Sequence, residues 1–323
     1  MKTVSVSAAG KLMLMGEHAA VYGRPCLVTA VNQRMRVSVS VTGDSLLAVD
    51  ALGMNISGYK KSMELLGSGT LEKGVQFVET AVKNFRTAYP FSGGVAVSTA
   101  SEFSHLVGFG SSAAVTVCVI KALAAALGKK ISDKRVFEIA YRTILDIQGK
   151  GSGFDVAAAL YGGTLFFVAG GAVIEPLDGK DMPLVIGYSG VKADTVSLMR
   201  NVSEKMQSQP ERVNRIYDAI TKLVTDAKAK IAEGDWERVG KLMDFNQEYL
   251  RDLGVSSQKL ETLISAAKSA GAWGAKLSGA GGGDCMIALV PPKRRAAVET
   301  AIETAGGQVI HILPHAQGAR LEL

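Results

Sequence analysis

Three glycine-rich segments hold the residues with which this chain could do chemistry, and each has the composition of a turn that meets an anion. Gly108-Phe109-Gly110-Ser111-Ser112-Ala113-Ala114 sets two glycines and two serines ahead of a long apolar run. Glycine admits a sharp turn with no Cβ in the way, and the serines bring hydroxyls to the point where a following helix presents unpaired N–H groups. Converging N–H groups of that kind bind phosphate. Read alone, the same pattern also fits a capped helix start. The second segment, Gly10-Lys11-Leu12-Met13-Leu14-Met15-Gly16-Glu17-His18, offers a cation in Lys11 to neutralise phosphate, and in Glu17 and His18 hydrogen-bonding groups for a polar substrate. A plain strand and turn with solvent-facing charges reads the same way. In Lys276-Leu277-Ser278-Gly279-Ala280-Gly281-Gly282-Gly283-Asp284, four glycines in five residues precede an apolar strand. Backbone of that composition can pass very close to a bound anion, or simply form a flexible hairpin.

Two common phosphate-binding patterns are absent. No GxxxxGK runs into Ser or Thr, and no GxGxxG links a first strand to a helix in the dinucleotide manner. A phosphate site here is of another kind.

The chain that positions these segments has 323 residues, 47% of them hydrophobic, enough for a sizeable core and about two domains by length. Its formal charge of +6 is spread among acids, as from Lys222 to Lys241, which argues against a nucleic-acid partner and suits an enzyme of polyanionic substrates. Cys26, Cys118 and Cys285 are odd in number and far apart, with no Cys/His cluster, so neither a disulfide framework nor a zinc site is indicated. There is no apolar signal core near the N-terminus and no run of membrane-spanning length. The expectation is a cytoplasmic protein with no membrane partner.

Alternation predicts strands at Met35–Val41, Gly94–Thr99 and Thr164–Val168, with helices over Leu71–Tyr89, Ser111–Leu127 and one capped near Ser132. After about Gly179 a strand at Leu184–Tyr188 gives way to helices. Val213, Ile216, Ile220, Leu223, Ala227 and Ile231 mark an amphipathic helix over Glu211–Ala232. Asp235 caps a helix through Leu253, Ser257 caps one through Ala270 with Gly271 as its stop, and strands at Cys285–Val290 and Gln308–Leu313 flank a helix over Arg294–Thr304. The class is α+β, with strands and helices mixed in both halves.

In this order and spacing, the three segments resemble the three motifs of the GHMP superfamily, named for galactokinase, homoserine kinase, mevalonate kinase and phosphomevalonate kinase. The resemblance spans nearly the whole chain. It implies an N-terminal domain like ribosomal protein S5 domain 2, expected over residues 1–180, and a ferredoxin-like α+β domain over 181–323, with ATP and substrate in the cleft between them. Gly108, Gly110, Ser111 and Ser112 would cradle the ATP phosphates, with Ser112 as a Mg²⁺ ligand. Ser278, Gly279, Gly281 and Gly282 would close over the phosphates from the other side.

Within the superfamily, Gly-Lys-Leu-Met-Leu-Met-Gly-Glu-His-Ala-Ala-Val-Tyr-Gly is most similar to the first motif of the mevalonate kinases. Asn246-Gln247, Leu250 and the turn Leu253-Gly254-Val255-Ser256 are similar too. The resemblance implies ATP-dependent phosphorylation of the 5-hydroxyl of mevalonate, with Glu17 and His18 as substrate contacts. Homodimers are common in the family. Its catalytic base is an aspartate after a glycine-serine turn, the position Asp155 takes in Gly151-Ser152-Gly153-Phe154-Asp155; Lys11 would lower the pKa of that aspartate and stabilise the γ-phosphoryl oxygens.

Two departures stand out. The family's second Mg²⁺ ligand, a glutamate eleven residues before the base, is Ile144 here, leaving Asp146 or Glu17 as substitutes. And Gly-Ser-Gly-Phe-Asp looks like the phosphomevalonate kinases, beside which Lys150 would receive a substrate phosphate. A phosphomevalonate kinase, or a kinase for another mevalonate derivative, is therefore the alternative. A non-catalytic sensor on this fold would be expected to lack the base or the phosphate loop, and Asp155, Lys11 and Ser112 are all in place.

Overall fold

The computed structural model describes residues 3–103, 108–179 and 181–322. Strands β1 (Thr3–Met15), β2 (Cys26–Thr42), β3 (Leu46–Ala51) and β4 (Ile56–Ser62) precede helix α1 (Gln76–Ala88). Then come β5 (Gly94–Ser101), α2 (Ser111–Ala126), α3 (Asp133–Gln148), α4 (Phe154–Tyr161), β6 (Thr164–Val168) and β7 (Val173–Leu177). The remainder runs β8 (Leu184–Tyr188), α5 (Thr195–Ser208), α6 (Pro210–Glu233), α7 (Trp236–Leu253), α8 (Gln258–Ser269), β9 (Gly274–Ser278), β10 (Cys285–Leu289), α9 (Arg295–Thr304), β11 (Gln308–Val309) and β12 (Arg320–Glu322).

Two sheets result. The larger has the order β12-β1-β2-β5-β3-β4, with β6 joining β2 beyond the end of β5 and β7 outside β6. In β2, Met35, Val37 and Val39 are buried while Arg36 is exposed and Ser38 and Ser40 are half-buried, the alternation expected of a sheet covered on one face. Helix α2 provides that cover. It packs on β1 and β2, and its run from Ala113 to Ala124 is buried almost all round because α1, α3 and α4 enclose it. The smaller sheet is antiparallel, β11-β8-β10-β9, and is covered by α7, α8 and α9.

The local signals behave as expected. Ser132, Asp235 and Ser257 accept from the N–H groups of Arg135, Arg238 and Leu260 at 3.2, 3.1 and 3.4 Å, capping α3, α7 and α8. Helix α5 was not legible: Asp194 caps it at 3.1 Å, but Val202 is its only fully buried residue, too little to make an apolar stripe. The strand predicted over Gln308–Leu313 shortens to β11, since beyond Ile310 the chain leaves β8 for the larger sheet. There Asn32 donates to the Leu313 carbonyl at 3.0 Å, and β12 pairs with β1. Arg34 holds this returning segment, donating to the carbonyls of Gln317 and Gly318, each at 2.7 Å, and through Nε to Ser7 at 2.7 Å. A division at 180 falls on a residue outside the described ones, and the tail after α9 adds to the first sheet.

Helix α7 lies so close to β9 that a Cβ on Gly274 would stand 1.8 Å from the Gly240 carbonyl oxygen. Gly274→Ala should therefore force the two apart and cost about 1–3 kcal/mol. A urea midpoint equal to that of the parent chain would show that the contact can relax.

Candidate active site

Strand β1 carries the Gly10–His18 segment to the junction of the two sheets. Lys11 sits behind the Gly108–Ala114 segment: its backbone N–H donates to the Phe109 carbonyl at 2.9 Å and its ammonium to the Gly108 carbonyl at 2.9 Å. The ammonium also lies 5.5 Å from the centre of the Phe154 ring. Gly108 and Gly110 take φ of +74° and +79°, and a Cβ on Gly110 would come within 3.0 Å of the Lys11 side chain. Gly110 begins α2 with no side-chain cap, so the first N–H groups of the helix, at Ser111 and Ser112, face outward without one. A concave loop of positive-φ glycines, an uncapped helix start and a lysine behind it make an anion cradle.

Asp155 is the second residue of α4, and its Oδ1 accepts from the Val156 N–H at 3.0 Å. Desolvation raises its pKa above the usual carboxylate range; the charge of Lys11 opposes the rise without cancelling it. Lys11 thus acts in the expected downward direction, but the net position of the aspartate is above its ordinary value because desolvation outweighs that charge. Lys11 itself is lowered, again by desolvation first, with Asp155 and then Asp284 holding it partway up.

Glu17 and His18 are buried in the turn after β1, where Gly16 and His18 both have positive φ. Glu17 forms an ion pair with Lys276 of β9, both side chains wholly inaccessible. Burial pushes the Glu17 carboxyl up and the Lys276 ammonium down, and each holds the other partway back. Glu17 thus joins the two sheets through one carboxylate oxygen, and its Oε2 is buried without a partner. His18 differs. Its Nε2 is 2.9 Å from the Ala280 carbonyl, and burial lowers its pKa, so the neutral ring keeps its proton on Nε2. Nδ1 is then an acceptor, and it has no partner. Ser152 Oγ and Asn246 Nδ2 are likewise buried without partners.

The third segment is shaped mostly by chain packing. The Ser278 hydroxyl donates to the Met13 carbonyl at 2.8 Å, and Gly282 N–H to the Val255 carbonyl at 2.7 Å. A Cβ on Gly281 would lie 2.1 Å from that same carbonyl, and one on Gly282 would lie 2.8 Å from Leu198. Only Gly279 of the four expected ligand glycines and serine faces open space. The Leu-Gly-Val-Ser turn therefore supports this loop from beneath.

Asp146 is not brought to the cradle. It is exposed on α3, bound to Arg142 at 2.7 Å and to Asn84 of α1 at 2.9 Å, so it is withdrawn as a metal ligand. Ile144 is buried in the helix layer. Lys150 is exposed in the loop between α3 and α4. No group of three or more His, Cys, Asp or Glu suited to a metal occurs among the described residues. Sequence reasoning missed a cavity of about 410 Å³ beside the cradle, walled by Ala51, Met54, Phe77, Val78 and Val115, with Ser111 and Ser112 at its edge. Its residues come from β2, β3, β5, α1, α2 and the segments between them with no shared motif, so only the fold reveals it.

A phosphate cradle, a desolvated carboxylate and lysine at its lip, and an adjoining apolar cavity define the site of a small-molecule phosphotransferase. Residues 76–163 match the GHMP kinases N terminal domain and residues 227–308 the GHMP kinases C terminal family. The mevalonate kinase of Thermococcus gammatolerans is 35% identical over 332 residues, covering 99% of this chain and 98% of the relative. That of Saccharolobus solfataricus is 31% identical, covering 86% and 87%. Among solved structures, the Methanococcus jannaschii mevalonate kinase aligns with a TM-score of 0.81 at 24% identity, covering 97% and 98%. A Lactococcus lactis galactokinase aligns with 0.85 at 17%, covering 99% and 95%. The shared fold does not separate these substrates; the full-length sequence identity does. The chain belongs to the GHMP kinases and, within them, to the mevalonate kinase family. No helix among the described residues is long and apolar enough to cross a membrane.

Proposed function

We propose that this chain transfers the γ-phosphoryl group of ATP to the 5-hydroxyl of mevalonate. The observation that carries the reading is Lys11, which bonds the Gly108 and Phe109 carbonyls of the cradle and lies near enough to Asp155 for each charge to act on the other. The relatives that cover its whole length are named mevalonate kinases. ATP phosphates fit the cradle, and the purine fits the adjoining apolar cavity. The helix-start N–H groups suit the phosphate oxygens, and the Ser112 hydroxyl would hold a phosphate-bound Mg²⁺, which supplies charge neutralisation on the phosphates when present. Asp155 accepts the proton of the attacking hydroxyl as the new O–P bond forms and the bond to the ADP oxygen breaks. Lys11 stabilises the charge that builds on the transferring group. The unpartnered Nδ1 of His18 accepts from a substrate hydroxyl and orients it.

The test is ADP release with Mg·ATP on mevalonate, 5-phosphomevalonate and galactose in parallel. Turnover on mevalonate alone supports the reading. Turnover confined to phosphomevalonate replaces it and gives Lys150 a substrate-phosphate role.

The pH profile follows from the same pair. Asp155 acts as a base only when ionised, and its pKa is raised, so kcat/KM should fall with decreasing pH through a limb above the ordinary carboxylate range. Lys11 is lowered, which puts the alkaline limb below the ordinary lysine range. The two limbs belong to the pair jointly. An acid limb at the unperturbed aspartate value would contradict the desolvated base.

A further inference from the structure

Asp284 closes the third glycine segment in a conformation that disfavours a side chain, with φ +54°. Asp is among the few non-glycine residues that visit this region, because its short side chain can hydrogen-bond locally. Its Oδ1 accepts from the Ala193 N–H at 3.0 Å and lies 3.2 Å from the Lys192 ammonium. Its Oδ2 lies only 2.7 Å from where a Cβ on Gly108 would be. A carboxylate from the smaller sheet therefore touches the first glycine of the phosphate cradle on the larger one. The charge of Asp284 also acts on Lys11, as that of Asp155 does.

Of the other acids considered, Glu17 is engaged with Lys276 and Asp146 with Arg142 and Asn84, while Asp155 is kept for the proton transfer proposed above. A fixed anion beside a polyphosphate site repels its ligand unless a cation stands between them. Magnesium is bound in such sites through one or two carboxylates together with the substrate phosphates. Resting on the ATP reading above, we propose that Asp284 is a positioning residue for the nucleotide metal: it meets the Mg²⁺ carried on the ATP phosphates, and Lys192 holds its charge until the nucleotide arrives.

The experiment is calorimetric binding of a non-hydrolysable ATP analogue, with Mg²⁺ and with EDTA, in the absence of any alcohol substrate. In the parent chain Mg²⁺ should strengthen binding. Asp284→Asn should weaken Mg²⁺-loaded binding by about tenfold, the scale of lost metal-site support, while metal-free analogue binds no worse, so the benefit of Mg²⁺ shrinks. Lys192→Met leaves the carboxylate uncompensated: metal-free analogue should bind less well and the benefit of Mg²⁺ should grow. These opposite shifts are the supporting result. Equal loss of both forms in both variants would mean that Asp284 only shapes the loop, and an unchanged Mg²⁺ benefit in Asp284→Asn would also overturn the proposal. A parent chain that binds neither form would instead bring down the ATP reading itself, and the proposal with it.

Discussion

Asp155→Asn is expected to lower kcat by roughly 10² to 10⁴ while nucleotide affinity stays within a fewfold of the parent value. The asparagine keeps the size and polarity of the side chain, and it can still accept from the Val156 N–H. What it loses is the ability to take a proton. In the proposed reading the phosphates are held by backbone N–H groups at Ser111 and Ser112 and by Lys11, so ATP binding should not depend on the carboxylate. Removing Asp155 also deletes the first charge that supports the Lys11 ammonium, so the lysine pKa should fall further. Single-turnover rates alongside calorimetric ATP binding separate the two effects. Near-normal turnover would remove Asp155 from the role of base.

Lys276→Met should be the most destabilising of the substitutions considered, by about 3–5 kcal/mol at neutral pH. It strands the Glu17 carboxylate where neither side chain of the pair reaches solvent. The sign with pH is distinctive. A carboxyl whose pKa in the folded chain lies above its unfolded value binds more protons when folded, so stability falls as pH rises through that window and returns as pH drops. The single variant should therefore recover part of its loss in mild acid. Combining it with Glu17→Gln should recover much of the loss at neutral pH, since no charge is left buried. Urea titrations at two pH values on the three chains provide the check, and a loss independent of pH would indicate a packing defect at β9 in place of a stranded charge.

Much of the architecture could be read locally. Ser132, Asp235 and Ser257 cap helices because the hydroxyl or carboxylate that satisfies the first turn is three residues from the N–H it serves. The cradle was legible for the same reason, glycines and serines being contiguous with the helix they open. What remained hidden is long-range. Glu17 reads only as a substrate ligand until the fold brings Lys276, 259 residues away, against it. Asp146 reads as a spare carboxylate until Asn84 and Arg142 claim it. The raised pKa of Asp155 stayed hidden because a neighbouring cation can be inferred from a motif whereas desolvation depends on everything packed around the site. Asp284 looked like the end of a flexible turn, and its contact with Gly108 crosses from one sheet to the other.

The return of the tail to β1 bears on how the chain is made. Translation delivers β1 first, while its partner β12 and the Gln317 and Gly318 carbonyls that hold Arg34 leave the ribosome some three hundred residues later, at a few to about twenty residues per second. During that interval the outer edge of β1 is unpaired and the Arg34 guanidinium lacks two of its acceptors. A nascent chain arrested before Arg320 would present an open sheet edge, which is the surface a chaperone or a second nascent copy would meet.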